Sequence, residues 1–367
     1  MKAEKGCISR QDLIFSVFCF MQGTMLRSGF VTSVTRNDSW AMAFTGLLCM
    51  VPIIAIYVGL VHRFPGKSLM EIDDIVFGPV LGKIVSVLYL FFFLSLCALN
   101  TRDLGNFIVG YSMTETPLAA VVIFFLLVCV YSVRKGIENL MRLSVLFCII
   151  VLAAVTLNFI LVLRDVQFDF LKPFFKLSTS KYVQGTLTVA AVPMGEILTF
   201  LMIVPLLKNN RAVGKPLLIG LTASAVFMGV VMLRDIITLG PLVSVVSLAS
   251  FESVRYVSLA GILTRMESLY GTMQAVLFFF KVSLLLYAFV IGVGQLLKLK
   301  NYLRMTMISG ALVAFYSLLV FESVMENMDW GASTAPFFSL SFEFILPGIT
   351  LLTAVLRKKN SAVEVKT

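Results

Sequence analysis

Three stretches of this 367-residue chain place polar chemistry inside long apolar runs. One reads Val189-Ala190-Ala191-Val192-Pro193-Met194-Gly195-Glu196, a proline, a glycine and a carboxylate in the middle of a greasy segment. Proline removes a backbone donor and glycine admits unwinding. In hydrocarbon the freed amides and carbonyls must then find protein, water or a ligand beside them. The second stretch reads Met21-Gln22-Gly23-Thr24-Met25-Leu26-Arg27-Ser28-Gly29, with two glycines and several polar side chains. The third is Lys281, within Leu277-Phe278-Phe279-Phe280-Lys281-Val282-Ser283 and too far from either end to snorkel. An unpaired ammonium at that depth costs several kcal/mol, so a partner is expected: Glu196, or the unwound carbonyls near Gly23. The simpler readings are a plain kink at Pro193 with Glu196 satisfied by a neighbouring helix, and a lysine that merely faces water.

The elements that hold these residues are membrane spans. A helix needs about 20 mainly apolar residues to cross the hydrocarbon. Such segments are predicted at Leu13 to Thr35, Trp40 to Val61, Ile84 to Leu99, Leu118 to Val133 and Leu143 to Leu163, and again at Gln184 to Leu207, Leu217 to Leu233, Leu269 to Leu297, Met305 to Phe321 and Pro336 to Leu356. The organisation is a cytoplasmic N-terminus (1–12), a five-helix repeat (13–163), an outer connector (164–183), a second five-helix repeat (184–356) and a cytoplasmic tail (357–367). A long outer loop (239–268) holds an amphipathic stretch, Phe251 to Met266, expected to be a surface or re-entrant helix. An odd number of spans per half forces any repeat to be inverted. Breaks at corresponding places in spans one and six are what an inverted-repeat transporter fold requires, its half-helix ends holding an anionic group and its unwound carbonyls a cation. The fold class is therefore all-α, integral to the membrane, with about ten spans in a 5+5 LeuT-like arrangement.

Composition agrees. Hydrophobic residues make up 59% and charged ones 14%, with a mean hydropathy of +0.96, where soluble domains run at about 45–50% apolar and 25% charged. The formal charge of +10 invites a nucleic-acid reading, but the cations lie between apolar runs and no aromatic-basic signature accompanies them, so nucleic acid is not expected as a partner. With both termini placed inside, inner segments hold 19 Lys and Arg against nine outside, the bias that sets topology and attracts anionic lipid. Six cysteines without a CxxC pair and the single His62 argue against a disulfide framework or a metal centre. No cofactor and no enzymatic activity are expected, for want of any nucleotide loop or catalytic constellation. Arg102, Asp103 and Glu343 lie nearer the span ends and are read as structural.

Several short elements, in order along nearly the whole chain, resemble the B subunits of nutrient germinant receptors of spore-forming bacteria, members of the amino acid–polyamine–organocation transporter superfamily. These are Ile8-Ser9-Arg10-Gln11, Asp38-Ser39-Trp40, Arg63-Phe64-Pro65-Gly66-Lys67-Ser68-Leu69, Thr116-Pro117, Gly136-Ile137-Glu138 with Arg142, Pro193 to Glu196, Ser253-Val254-Arg255-Tyr256 and Arg265-Met266-Glu267. The resemblance implies a sensor of small nutrients, often amino acids, that works with a membrane-anchored A subunit and a lipoprotein C subunit in the inner spore membrane and binds without obligatory transport. Met25 and Arg27 depart from the pattern, where smaller or apolar residues are expected. The ligand is then expected at Gln22, Gly23, Thr24, Pro193, Met194, Gly195 and Glu196, with Lys281 and Glu196 as an ion-site surrogate or proton relay. The alternative is a proton-coupled secondary amino-acid transporter. A structural subunit, or a conduit for ions or water, is a third possibility.

Overall fold

The computed structural model describes residues 8–25, 28–162, 166–208, 212–259 and 266–360, and among these the regular structure is helical apart from one isolated bridge between Ile8 and Leu207. Arg27, Arg265 and the charged ends at 1–7 and 361–367 lie outside the described residues.

Span one is two helices, α1 (Arg10–Met25) and α2 (Gly29–Thr35). α3 (Ser39–Arg63) is span two, and the short amphipathic α4 (Leu69–Phe77) follows it. A reciprocal capping box starts α4: Ser68 Oγ accepts from the Glu71 amide while Glu71 accepts from the Ser68 amide. Gly78, at φ 87°, ends it in a conformation that a side chain would strain. α5 (Leu81–Phe107), α6 (Leu118–Arg134) and α7 (Ile137–Val162) complete the first half.

Span six starts as α8 (Thr179–Val189), loosens to a π segment at Ala190–Met194 and tightens to a 3₁₀ helix over Gly195–Met202. α9 (Gly214–Leu239) is span seven, α10 (Ala249–Leu259) lies in the long loop, and α11 (Met266–Leu296) and α12 (Met305–Leu319) are spans eight and nine. α13 (Val324–Ser333) precedes span ten, which is α14 (Ala335–Leu340), a π segment at Ser341–Ile345 and α15 (Leu346–Leu356).

Eight helical stretches among the described residues are long and apolar enough to cross a membrane. With the split span one and the shorter apolar α6 they supply the ten segments expected of this multi-pass membrane protein. Burial sorts them. The most apolar windows of spans six and eight are 83% and 78% buried, whereas those of spans five, nine and ten are only 33%, 33% and 28% buried. Spans six and eight, with α1, whose Val17, Cys19, Phe20 and Met21 have no exposure, form the centre, and residues such as Phe124, Ile149, Phe315 and Leu352 turn outward as a lipid-facing coat.

Two differences from expectation bear on the site. Span seven runs to Leu239 instead of stopping at Leu233, because Arg234 and Asp235 pair inside the fold. Span six shows no open gap; its break takes the form of two changes of helix type around Pro193 and Gly195, a pattern that often marks functional positions.

Candidate functional site

Lys281 lies on α11 with no solvent exposure, and its Nζ sits 2.6 Å from Glu196 Oε2, itself only 2% exposed. The same ammonium donates to Thr24 Oγ1 at the end of α1 and stands 4.9 Å from the centre of the Phe20 ring. One cation therefore ties span eight to the last turn of α1 and to the winding change of span six. The pair is nearly dry, so its attraction is strong and its desolvation cost is high; good geometry and added hydrogen bonds decide the balance.

Backbone approach at two glycines makes this geometry possible. A Cβ on Gly23 would stand 3.1 Å from Lys281 Cδ and 3.3 Å from the Leu277 carbonyl, so a larger residue there would push α1 off α11. The Gly23 carbonyl accepts from Gln274 Nε2 at 3.1 Å. A Cβ on Gly195 would overlap the Glu343 carboxylate.

Above the pair lies a cavity of about 70 Å³. At about 10–15 Å³ per water it has room for a handful of waters, or a ligand of a few heavy atoms. Thr24, Asn100, Asp103 and Glu196 present a hydroxyl, an amide and two carboxylates to it, and Leu96, Leu99, Val192 and Met328 give it an apolar wall. Thr24 Oγ1 donates to Asn100 Oδ1 at 3.4 Å, and Asn327 Nδ2, from α13, donates to Asp103 at 2.7 Å. Ser247, from the loop before α10, closes another side. That loop packs tightly on α2, since a Cβ on Gly29 would run into the Ser247 carbonyl.

Of the residues expected at the site, Thr24, Glu196 and Lys281 converge, and Thr24 and Glu196 line the cavity. Gln22, Pro193 and Met194 are buried beside the winding changes without lining it. Gly23 and Gly195 act as places of close approach rather than as cavity walls.

Sequence reasoning passed over two participants. Asp103 lines the cavity, and Glu343, read as near the interface, is fully buried against Gly195 within electrostatic reach of Glu196 and Lys281. The available signal for Glu343 was its being the one charged side chain in an otherwise apolar run from Ala335 to Leu356. Arg102, expected to be structural, donates from its guanidinium to the Ser317, Leu318 and Phe321 carbonyls at the end of α12.

Residues 8–324 match the sequence profile of the family described as spore germination protein, Spore_permease. Spore germination protein KB of Bacillus subtilis (strain 168) is 28% identical over 367 residues, covering 97% of each chain. Spore germination protein YndE of the same organism is 22% identical, over 96% of this chain and 97% of its own length. Among solved structures, Mhp1, a nucleobase-cation-symport-1 family transporter in a closed conformation with bromovinylhydantoin bound, superposes with a TM-score of 0.73 at 13% identity, over 97% of this chain and 80% of that one. A substrate-bound, outward-open Na⁺-coupled sialic acid symporter superposes with a TM-score of 0.67 at 12% identity, over 93% and 78%. At these identities the likeness is one of fold: the inverted-repeat transporter architecture, with spans one and six at its centre.

Proposed function

We propose that this chain, which belongs to the spore germination protein family, is the membrane subunit of a nutrient germinant receptor, binding a small nutrient, an amino acid, at the mid-membrane winding changes. The observation that carries this reading is the cavity over the Lys281–Glu196 pair, polar on the Thr24, Asn100, Asp103 and Glu196 side and apolar on the other. Such sites fix a ligand with a few polar groups and accept its side chain on the apolar wall. A ligand ammonium would meet Glu196 or Asp103, in part replacing Lys281 as the partner of Glu196, and Lys281 would then be free to turn to a ligand carboxylate. A zwitterion satisfies both.

Binding can act only through a difference in affinity between two conformations. The candidates for that change are the end of α1 at Thr24 and the π-to-3₁₀ transition, both of which Lys281 ties down. The A and C subunits would read the change in the inner spore membrane, with both termini cytoplasmic as the Lys and Arg bias suggests. The relatives named above are germination proteins and the fold neighbours are transporters, and we assign the chain no catalytic step.

A proton-coupled amino-acid transporter is the second reading, favoured by the fold shared with two symporters. Uptake of radiolabelled amino acids into vesicles containing this chain alone separates the two. Binding without accumulation supports the receptor; accumulation abolished by a protonophore supports the transporter and overturns the receptor reading.

A further inference from the structure

Just before α1 starts, the chain touches the end of span six. The Ile8 amide donates to the Leu206 carbonyl at 3.2 Å, and the Lys208 amide donates to the Ile8 carbonyl at 3.1 Å. Beside this bridge lies an open pocket of about 410 Å³, formed where α1, the end of span six and the start of α9 come together. Ser9, Arg10 and Lys208 give it a polar rim, and Leu13, Leu207 and Pro216 belong to its apolar wall. It shares no residue with the cavity over the Lys281–Glu196 pair.

Both cations of the rim are exposed, and among the described residues no carboxylate forms a salt bridge with either. Asp12, the nearest carboxylate in sequence, is engaged locally: its Oδ2 accepts from the Ser9 amide at 3.0 Å while Ser9 Oγ accepts from the Asp12 amide at 3.1 Å. That exchange leaves the Ser9 hydroxyl proton free to donate outward. With Asp12 counted, the rim is still net positive, and the exposed Lys215 in the first turn of α9 adds to it. An anion is the complement of such a rim, and phosphate suits it best, because a guanidinium can grip two phosphate oxygens at once.

The apolar wall decides what carries the phosphate. A free anion would match the cations and leave Leu13, Leu207 and Pro216 against water. An amphiphile matches both. Along α9, Ile219, Ala223, Val226 and Val230 are all exposed and follow Pro216 at steps of three or four residues, so they share one helix face with it. At the helical rise this apolar stripe runs about 21 Å, longer than the roughly 15 Å of hydrocarbon in one leaflet. It is a track for an acyl chain that begins at the pocket.

We propose that this pocket is a binding site for one anionic phospholipid, with its phosphate held by Arg10 and Lys208, Ser9 donating to it, and an acyl chain laid past Leu13 and Pro216 along the α9 stripe. With the N-terminus inside, as in the reading above, the pocket opens to the leaflet whose anionic lipids would fill it. The lipid fastens the first turn of α1 to the end of span six, the two spans that Lys281 ties together deeper in the fold. This site differs from the general attraction of a basic face for anionic lipid in depending on two particular cations and on the space between them. It stands whether or not a nutrient binds in the cavity.

The test is native mass spectrometry of the purified full chain, released from detergent after incubation with equal amounts of phosphatidylglycerol and phosphatidylcholine bearing the same acyl chains. One basic side chain near an anionic surface supplies about a fivefold preference, so two should retain phosphatidylglycerol over phosphatidylcholine by about tenfold or more. Arg10→Gln with Lys208→Gln should lose most of that preference. Lys83→Gln with Lys298→Gln removes the same charge at a separate cleft and should keep it. Ala212→Trp, which fills the pocket and leaves both cations in place, should also weaken retention. Excess inorganic phosphate should leave the bound lipid in place. Equal retention of the two lipids by the wild type overturns the proposal, as does equal loss in both charge-removal pairs. Displacement by inorganic phosphate would make the pocket a site for soluble anions, and displacement by tetraglutamate a site for acidic peptide, and either result overturns it as well. The competition arms use the wild-type chain and so stand even where a variant fails to fold.

Discussion

Lys281 Nζ and Glu196 Oε2 meet at 2.6 Å, and neither residue has appreciable access to solvent. Removing the ammonium strands a buried carboxylate, so Lys281→Met is expected to cost about 3–5 kcal/mol of stability. Thermal unfolding in detergent checks this. The double variant Lys281→Met with Glu196→Gln should regain most of the loss, since both charges leave together. A double variant no better than the single would show that Lys281 stabilises by packing instead.

Gly195 and Glu343 are coupled by contact, since any Cβ at 195 overlaps the Glu343 carboxylate. Gly195→Ala should destabilise by about 1–3 kcal/mol in the native background and by much less alongside Glu343→Ala, which opens the space. A double-mutant cycle reads the coupling directly, and strictly additive effects would remove the contact from the account.

A second buried ion pair holds the outer loop. Arg234 Nη2 donates to Asp235 Oδ1 at 2.5 Å and Arg234 Nη1 to Asn158 Oδ1 at 2.5 Å. From α10, Ser250 and Ser253 donate to the Asp235 carboxylate at 2.5 and 3.0 Å. Ser250→Ala and Ser253→Ala should each cost about 1–2 kcal/mol and free α10 from α9, seen as faster proteolysis of the 249–259 segment. Asp235→Ala, which strands the guanidinium, should cost about 3–5 kcal/mol. Cleavage at the wild-type rate in both serine variants would show that α10 is held by its apolar face alone.

Asp73 gives a pH dependence of definite sign. Its folded carboxyl is raised well above 3.8 by burial, so the fold retains this proton where the unfolded chain has lost it. The stability it supplies is present at low pH and falls as pH rises from about 4 toward the folded value. Asp73→Asn still accepts from Thr350 but no longer titrates. Its unfolding temperature should therefore vary less than that of the wild type between about pH 4 and 8, and parallel profiles would contradict the assignment.

The spans were legible because lipid leaves the chain few choices. The run of apolar residues, the buried Lys281 and the Pro193–Glu196 interruption can all be read without coordinates. What escaped was depth. Counted from Pro336, Glu343 sits near an interface, yet α13 folds over that end and the π turn at Ser341–Ile345 buries the carboxyl against Gly195. Arg234 and Asp235 look like the end of a span, and only the fold brings Asn158, Ser250 and Ser253 to satisfy them. Asp103 faces the cavity while its neighbour Arg102 caps α12, a difference of one helical position that spacing alone does not decide.

The central claim, that a small nutrient binds in the cavity bounded by Thr24, Asn100 and Glu196, is tested most directly at Gly331. This residue lines the cavity, and a Cβ there meets nothing within 4 Å, so a large side chain can be placed at the rim without a backbone clash and compete with a ligand for the space. Equilibrium binding of a labelled amino-acid panel to the purified chain should be lost in Gly331→Trp, with the unfolding temperature unchanged. Binding of the same amino acid at wild-type affinity in Gly331→Trp would place the nutrient elsewhere and contradict the account.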